Sequence, residues 1–317
     1  MLLQIFLVSV VLAVAAASAQ TAPADNASAP SSAQTGPSPP LPEVAVTAPR
    51  PPTPRELAGE AVPNFIASHA VPSIAIHQLT RWKIGICPLT LGLSPAFNDF
   101  VLARIDAVAD AVAAPHQSAA QCKHNVLILF TTDPQRQLDE VMKEGSVLLG
   151  FHYSQQTKKL VTFNRPIEGW YVTSTRNYKG VEAMDEPLQL PITNSRYWNR
   201  VPPGEPGSRL TNLRRSLMIQ ALILVDANKV HGLTIESISD YLAMMILSQS
   251  ESPDTCSQLP SILDLMASNC GDREKPTQVT AGDLAFLRAL YLADLEQPLE
   301  LEQSSIQNNM MRQLDRR

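Results

Sequence analysis

Aromatic side chains are scarce in this chain: Trp, Tyr and Phe make up 5% of its 317 residues. Charge is sparse as well, at 17% Asp, Glu, Lys and Arg, with a formal net charge of −5 and a pI near 5.7. No broad basic surface for nucleic acid follows from that balance. Glycine is low too, with 13 residues, and none of the phosphate-binding or dinucleotide-binding Gly-rich spacings occurs. The G-x-S-x-G elbow of serine hydrolases is missing. Long apolar runs are absent beyond the first residues, which excludes a multispan membrane protein. There are only four cysteines, none in C-x-x-C spacing, so a zinc knuckle or thioredoxin-like site is not indicated.

What is present divides the chain into four parts. Residues 1–19, MLLQIFLVSVVLAVAAASA, carry no charged side chain and end in Ala-Ser-Ala ahead of Gln20. That layout is a secretory signal peptide, with an uncleaved anchor helix as the alternative. Residues 20–55 are rich in Pro, Ala and Ser, and ten of the 26 prolines lie between Pro23 and Pro54. Proline removes donors and fixes φ, and little apolar surface is available to offset ordering entropy, so a disordered linker is expected. Residues 56–296 form the expected domain, and residues 297–317 a C-terminal helix with Ile306, Met310 and Leu314 in one stripe.

The domain reads as α+β, a mixed sheet with helices in its front half and helices in its back half. Strands are expected at Arg81–Cys87, Asn125–Thr131, Leu160–Phe163, Trp170–Ser174 and Leu217–Val225. Helices are expected at Glu56–Ser68, Pro95–Val112, Pro134–Lys143, Thr234–Gln249, Pro260–Ala267 and Ala281–Leu292. Pro187–Ser208 reads as loop. An even cysteine set behind an export signal implies disulfides. Of three possible pairings, Cys256 with Cys270 is favoured because one short segment separates them, and Cys87 with Cys122 because each flanks an expected element in the same half of the domain. The six histidines are scattered, with no pair at helical spacing.

Residues 217–293 resemble the back half of a zincin metallopeptidase of the metzincin or matrixin type. The resemblance is carried by an ordered series: LMIQALILV, the helix TIESISDYLAMMILSQ, the turn LPSILDLM, and TAGDLAFLRALY with its Thr-x-x-Asp cap. A group of uncharacterised secreted bacterial proteins is similar in the same way. The resemblance implies a zincin-like fold with a cleft above the long helix. It also places Ser239 and Ala243 at the two zinc-binding histidine positions and Asp240 at the general base. Alanine has no donor atom and serine is a poor zinc ligand, so neither metal nor cofactor is expected. The expected function is therefore a non-catalytic binding or structural protein of the bacterial cell envelope, periplasmic or secreted, with a peptide or envelope protein as partner. No nucleic acid and no membrane span in the mature chain are expected. The alternative is a metal-dependent hydrolase whose site is assembled from distant residues, such as His152 or His231 with Asp240. Trp170, Tyr171, Tyr197 and Trp198, if exposed, would be the anchors of a binding groove.

Overall fold

The computed structural model describes residue 53 and residues 57–117, 122–187, 213–250 and 253–315. The proposed signal peptide, nearly all of the linker and the central Pro-rich loop, with Tyr197 and Trp198, lie outside the described residues. Among the described residues the fold is α+β, with a six-stranded mixed sheet. The strands are β1 (Arg81–Trp82), β2 (Pro88–Leu91), β3 (Val126–Thr131), β4 (Ile167–Asn177), β5 (Glu182–Met184) and β6 (Arg214–Asp226). The helices are α1 (Val62–His69), α2 (Pro95–Ala111), α3 (Pro134–Glu144), α4 (Thr157–Leu160), α5 (Ile235–Ser248), α6 (Ala281–Leu292) and α7 (Leu299–Leu314).

The sheet order is β2-β3-β6-β4-β5. β2 and β3 run parallel to β6, while β4 runs antiparallel along its whole length. β4 covers one edge of β6, so β1 and β3 share the other: β1 pairs at Leu217 and Met218, and β3 from Ala221 to Asp226. Both faces of the sheet are covered, which is why β3 and the second half of β6 read as unbroken apolar runs. Val126, Ile128, Phe130, Ala221, Ile223 and Val225 face the larger core beneath α1, α2, α5, α6 and α7. Leu127, Leu129, Leu222 and Leu224 face a smaller core with Leu138 and Val141 of α3.

Helix starts follow their sequence signals. Pro95 and Pro134 open α2 and α3, and the Asp133 carboxylate accepts the Arg136 amide. Thr234 caps α5, and Thr280 with Asp283 forms a reciprocal capping box at α6. Gly150 meets the outer edge of β4 with φ at 77°. A Cβ there would stand 2.0 Å from the Tyr171 carbonyl oxygen, so only glycine fits.

Three expected elements differ. The Arg81–Cys87 strand is only Arg81–Trp82; the chain then bends, because Gly85 passes against the His116 backbone and Ile86 bridges to that residue. Pairing resumes as β2, which the alternation did not reveal. Leu160–Phe163 is not a strand: α4 ends at Leu160, and the Phe163 amide is taken by the Gln135 side chain. Pro260–Ala267 is a single 3₁₀ turn, Ile262–Met266, because the Asp264 carboxylate draws in the amides of Ser257 and Ser261.

Both favoured disulfides are formed, Cys87–Cys122 and Cys256–Cys270, and no free cysteine remains. The first ties β2 to the segment before β3. The second closes the loop around the 3₁₀ turn.

Candidate functional site

α5 is the helix on which the resemblance places the chemistry, and it is buried from Ser237 to Ser248. Its second half, Tyr241–Leu247, is an unbroken apolar run, the pattern of a core helix rather than a surface one. Ser239, Asp240 and Ala243 are each fully buried. The Ser239 hydroxyl donates back to the Ile235 carbonyl at 2.6 Å, a bond internal to the helix.

Asp240 is held from two sides. Arg104 of α2 forms a fork onto it, Nε to Oδ1 at 2.5 Å and Nη2 to Oδ2 at 2.9 Å. The Val279 amide, just ahead of the α6 cap, donates to Oδ2 at 2.8 Å. Asp240 therefore joins α2, α5 and the start of α6. Its bond to Arg104 raises the guanidinium pKa above its ordinary value, against the opposing effect of burial. The charged fork and the amide thus take three of the carboxylate's roughly four acceptor positions, in a side chain that is fully buried.

Beneath this lies a second buried carboxylate knot. Asp283 accepts from the Ser261 hydroxyl at 2.7 Å and from the amides of Ile262 and Thr280, each at 2.8 Å. Burial raises its pKa to about 6, against the lowering effect of those bonds. Asp264 is shifted upward as well, with burial again the main cause.

The C-terminal end of α5 shows where the aromatics went. Its last carbonyls cannot bond within the helix, and the end is deep in the core. Trp82 Nε1 donates to the Ile246 oxygen at 2.8 Å, the Tyr171 hydroxyl to Met245 at 3.0 Å, and the Tyr291 hydroxyl to Leu247 at 2.9 Å. Tyr171 also reaches the Ser250 oxygen at 3.3 Å. On the other face of the sheet Trp170 is buried among leucines, and its Nε1 donates to the Leu160 oxygen. The exposure on which a groove role for Trp170 and Tyr171 depended is thus not met; both are core residues with internal hydrogen-bond partners. Tyr171→Phe is expected to cost about 1–3 kcal/mol in urea unfolding, because it strips a donor from buried carbonyls. An unchanged midpoint would remove Tyr171 from this role.

The histidines do not gather at Asp240. His231 is exposed in the turn after β6. His152 is buried beside Gly150, with Nδ1 at 2.8 Å from that carbonyl. Among the described residues, the only group of three or more side chains at metal-binding separation is Cys87, Cys122 and His124, and its two sulfurs are joined to each other. The sequence reading missed Arg104. The available signal was that Arg104 is the only cation in α2, next to the buried stripe of Val101, Ile105 and Val108. No protein-family model matches the chain, and neither curated proteins nor solved structures give a match.

Proposed function

We propose that this is an exported, non-catalytic binding or structural protein of the bacterial cell envelope, built on a zincin-like plan whose metal centre has been replaced by packing and an ion pair. The order of a long strand, a buried helix, a tight turn and a capped helix supports the plan. The observation that carries the functional reading is Asp240, fully buried and committed to Arg104 and the Val279 amide, on a helix whose neighbouring positions are Ser239 and Ala243. Removing a nucleophile-activating metal leaves recognition rather than turnover as the activity of such a fold. Two disulfides, and no helix among the described residues long and apolar enough to cross a membrane, fit an extracellular or periplasmic location. Cleavage of the leader after Ala19 belongs to the same proposal.

Zinc analysis tests it. Protein equilibrated with excess zinc and then dialysed is expected to retain far less than one equivalent, and a chelator should leave its melting temperature unchanged. One tightly held equivalent, with chelator-sensitive peptide cleavage, would establish the hydrolase instead.

A further inference from the structure

The disulfide Cys87–Cys122 has a histidine against it. His124 Nδ1 stands 3.3 Å from Cys87 Sγ, and the two sulfurs and this nitrogen all lie within 4.8 Å of one another. A disulfide sulfur carries no proton, so the imidazole is the donor in this contact. Cys87 runs directly into β2, the first strand of the sheet order. Cys87 is buried, Cys122 half-buried and His124 exposed, so the group opens to solvent on the side of Cys122 and His124.

The frame around this group does not depend on the S–S bond. The Cys87 amide donates to Asn125 Oδ1 at 2.7 Å, and the Asn125 amide donates to the Cys87 carbonyl at 3.1 Å. Asn125 Nδ2 and Gln117 Nε2 both donate to the Gly85 carbonyl, and Gln117 Oε1 accepts the Lys123 amide. From Pro88 and Val126 onward, β2 and β3 pair in register. These bonds hold Cys87 against the segment from Cys122 to Asn125 whether or not the sulfurs are joined. The Cys256–Cys270 pair differs, because among the described residues no third ligand stands at such a separation from it.

We infer that Cys87, Cys122 and His124 form a redox-gated site for Zn²⁺, closed as the disulfide and opened by a dithiol reductant. A thiolate of the reductant attacks Cys122 Sγ, the more accessible sulfur. The new S–S bond forms as the old one breaks, and the electron pair leaves on Cys87 Sγ beside the His124 N–H. The reductant's second thiolate then closes on its own sulfur, releases Cys122 and departs as a disulfide, its two protons passing to the two cysteines. Zinc displaces both thiol protons, and His124 offers Nδ1 once its proton has moved to Nε2. Zn–S bonds of about 2.3 Å and a Zn–N bond of about 2.1 Å place tetrahedral ligand atoms roughly 3.5–3.8 Å apart. Cys87 Sγ and His124 Nδ1 are near that spacing at 3.3 Å, so the main movement is the Cys122 sulfur swinging away from Cys87. Joined sulfurs offer no thiolate, so this site is separate from the zinc test of the oxidised chain and independent of the zincin reading.

Zinc titration of the full chain, oxidised and reduced, tests it. A water-soluble phosphine serves as reductant, since it does not chelate zinc as a dithiol does, and differential alkylation identifies the cysteines it has freed. The oxidised chain is expected to take up no zinc at this group. The reduced chain should bind one equivalent with a dissociation constant of about 1 μM or tighter. Cobalt in place of zinc should give thiolate charge-transfer absorption and the visible bands of a tetrahedral centre. Nitrogen-shift spectra should place the His124 proton on Nδ1 in the oxidised chain and on Nε2 in the zinc form. His124→Gln, at an exposed position, keeps the disulfide and should weaken zinc about a hundredfold with an unchanged circular dichroism spectrum. Four outcomes each overturn the assignment: a reduced chain that takes up no zinc, uptake indifferent to His124→Gln, a Cys87–Cys122 bond that resists the phosphine in the folded chain, and loss of the circular dichroism spectrum on reduction.

Discussion

Replacing Arg81 with methionine is expected to destabilise the domain by about 3–5 kcal/mol at pH 8, the largest effect of any single substitution considered. Arg81 is 2% exposed and Glu302 is fully buried. The guanidinium donates through Nη2 to Glu302 Oε1 and through Nη1 to the Leu290 carbonyl, both at 2.5 Å. The Leu79 amide adds a bond to Oε2 at 3.3 Å. Burial holds Glu302 above the usual carboxylate range, against the opposing pull of Arg81. Without Arg81 that carboxylate has no counter-charge, and its easiest escape is to take up a proton. The sign of the pH dependence follows. A carboxyl whose folded pKa is raised loses stability as pH rises, so the damage from Arg81→Met should be smaller at pH 5 than at pH 8. The double variant Arg81→Met with Glu302→Leu, which removes both charges, should recover most of the loss. If the single variant unfolds at the wild-type urea midpoint at pH 8, the pair is not the tie described here.

The second large effect is a cancellation that a mutant would expose. His69 is 1% exposed, stacked on Phe65 with ring centroids 3.9 Å apart. Burial lowers its pKa from 6.5 to about 4, against the raising effect of its bond to the Phe65 carbonyl. Its contribution is complete above pH 6.5 and is lost as pH falls toward 4. Asp283 has the opposite sign. Raised from 3.8 to about 6, it favours the fold below pH 3.8, and that advantage is lost as pH rises through 6. Each swing amounts to about 3 kcal/mol, and the two largely offset each other between pH 4 and 6. In a series of urea titrations, the stability gap between wild type and His69→Gln should widen by about 3 kcal/mol from pH 4 to 6.5. For Asp283→Asn the gap should narrow by a similar amount from pH 3.8 to 6. Gaps that stay constant with pH would show that neither group changes its proton affinity on folding.

Legibility in the sequence tracked the range of the interaction. β3 and β6 were visible because burial on both faces leaves a continuous apolar run, and α5 and α6 because their caps are local: Thr234 with Ser237, Thr280 with Asp283. The Cys256–Cys270 disulfide was readable from its short separation of 14 residues, and Cys87–Cys122 from the elements its cysteines flank in the same half. β2 was hidden because PLTL is short and its pairing is decided by β3, some forty residues away. Trp170 and Tyr171 illustrate the ambiguity of a rare aromatic. Composition cannot distinguish a residue that anchors a partner from one that closes a helix end, and here both close internal gaps. Asp240 was named only through the resemblance, as the position of a general base; its partner Arg104 lies 136 residues earlier, so the ion pair could not be read from spacing.

Gln78 bonds to the Leu295 and Gln297 carbonyls, and Arg81 bonds to Glu302. The opening strand of the domain is thus completed by its final helix, across 221 residues of chain. A polypeptide whose synthesis has stopped short of α7 has no carboxylate partner for Arg81 and lacks the Ile306 and Met310 side chains that pack into the larger core. Contacts of such sequence separation form late in folding, so the core around Arg81 becomes rigid only once α7 has docked.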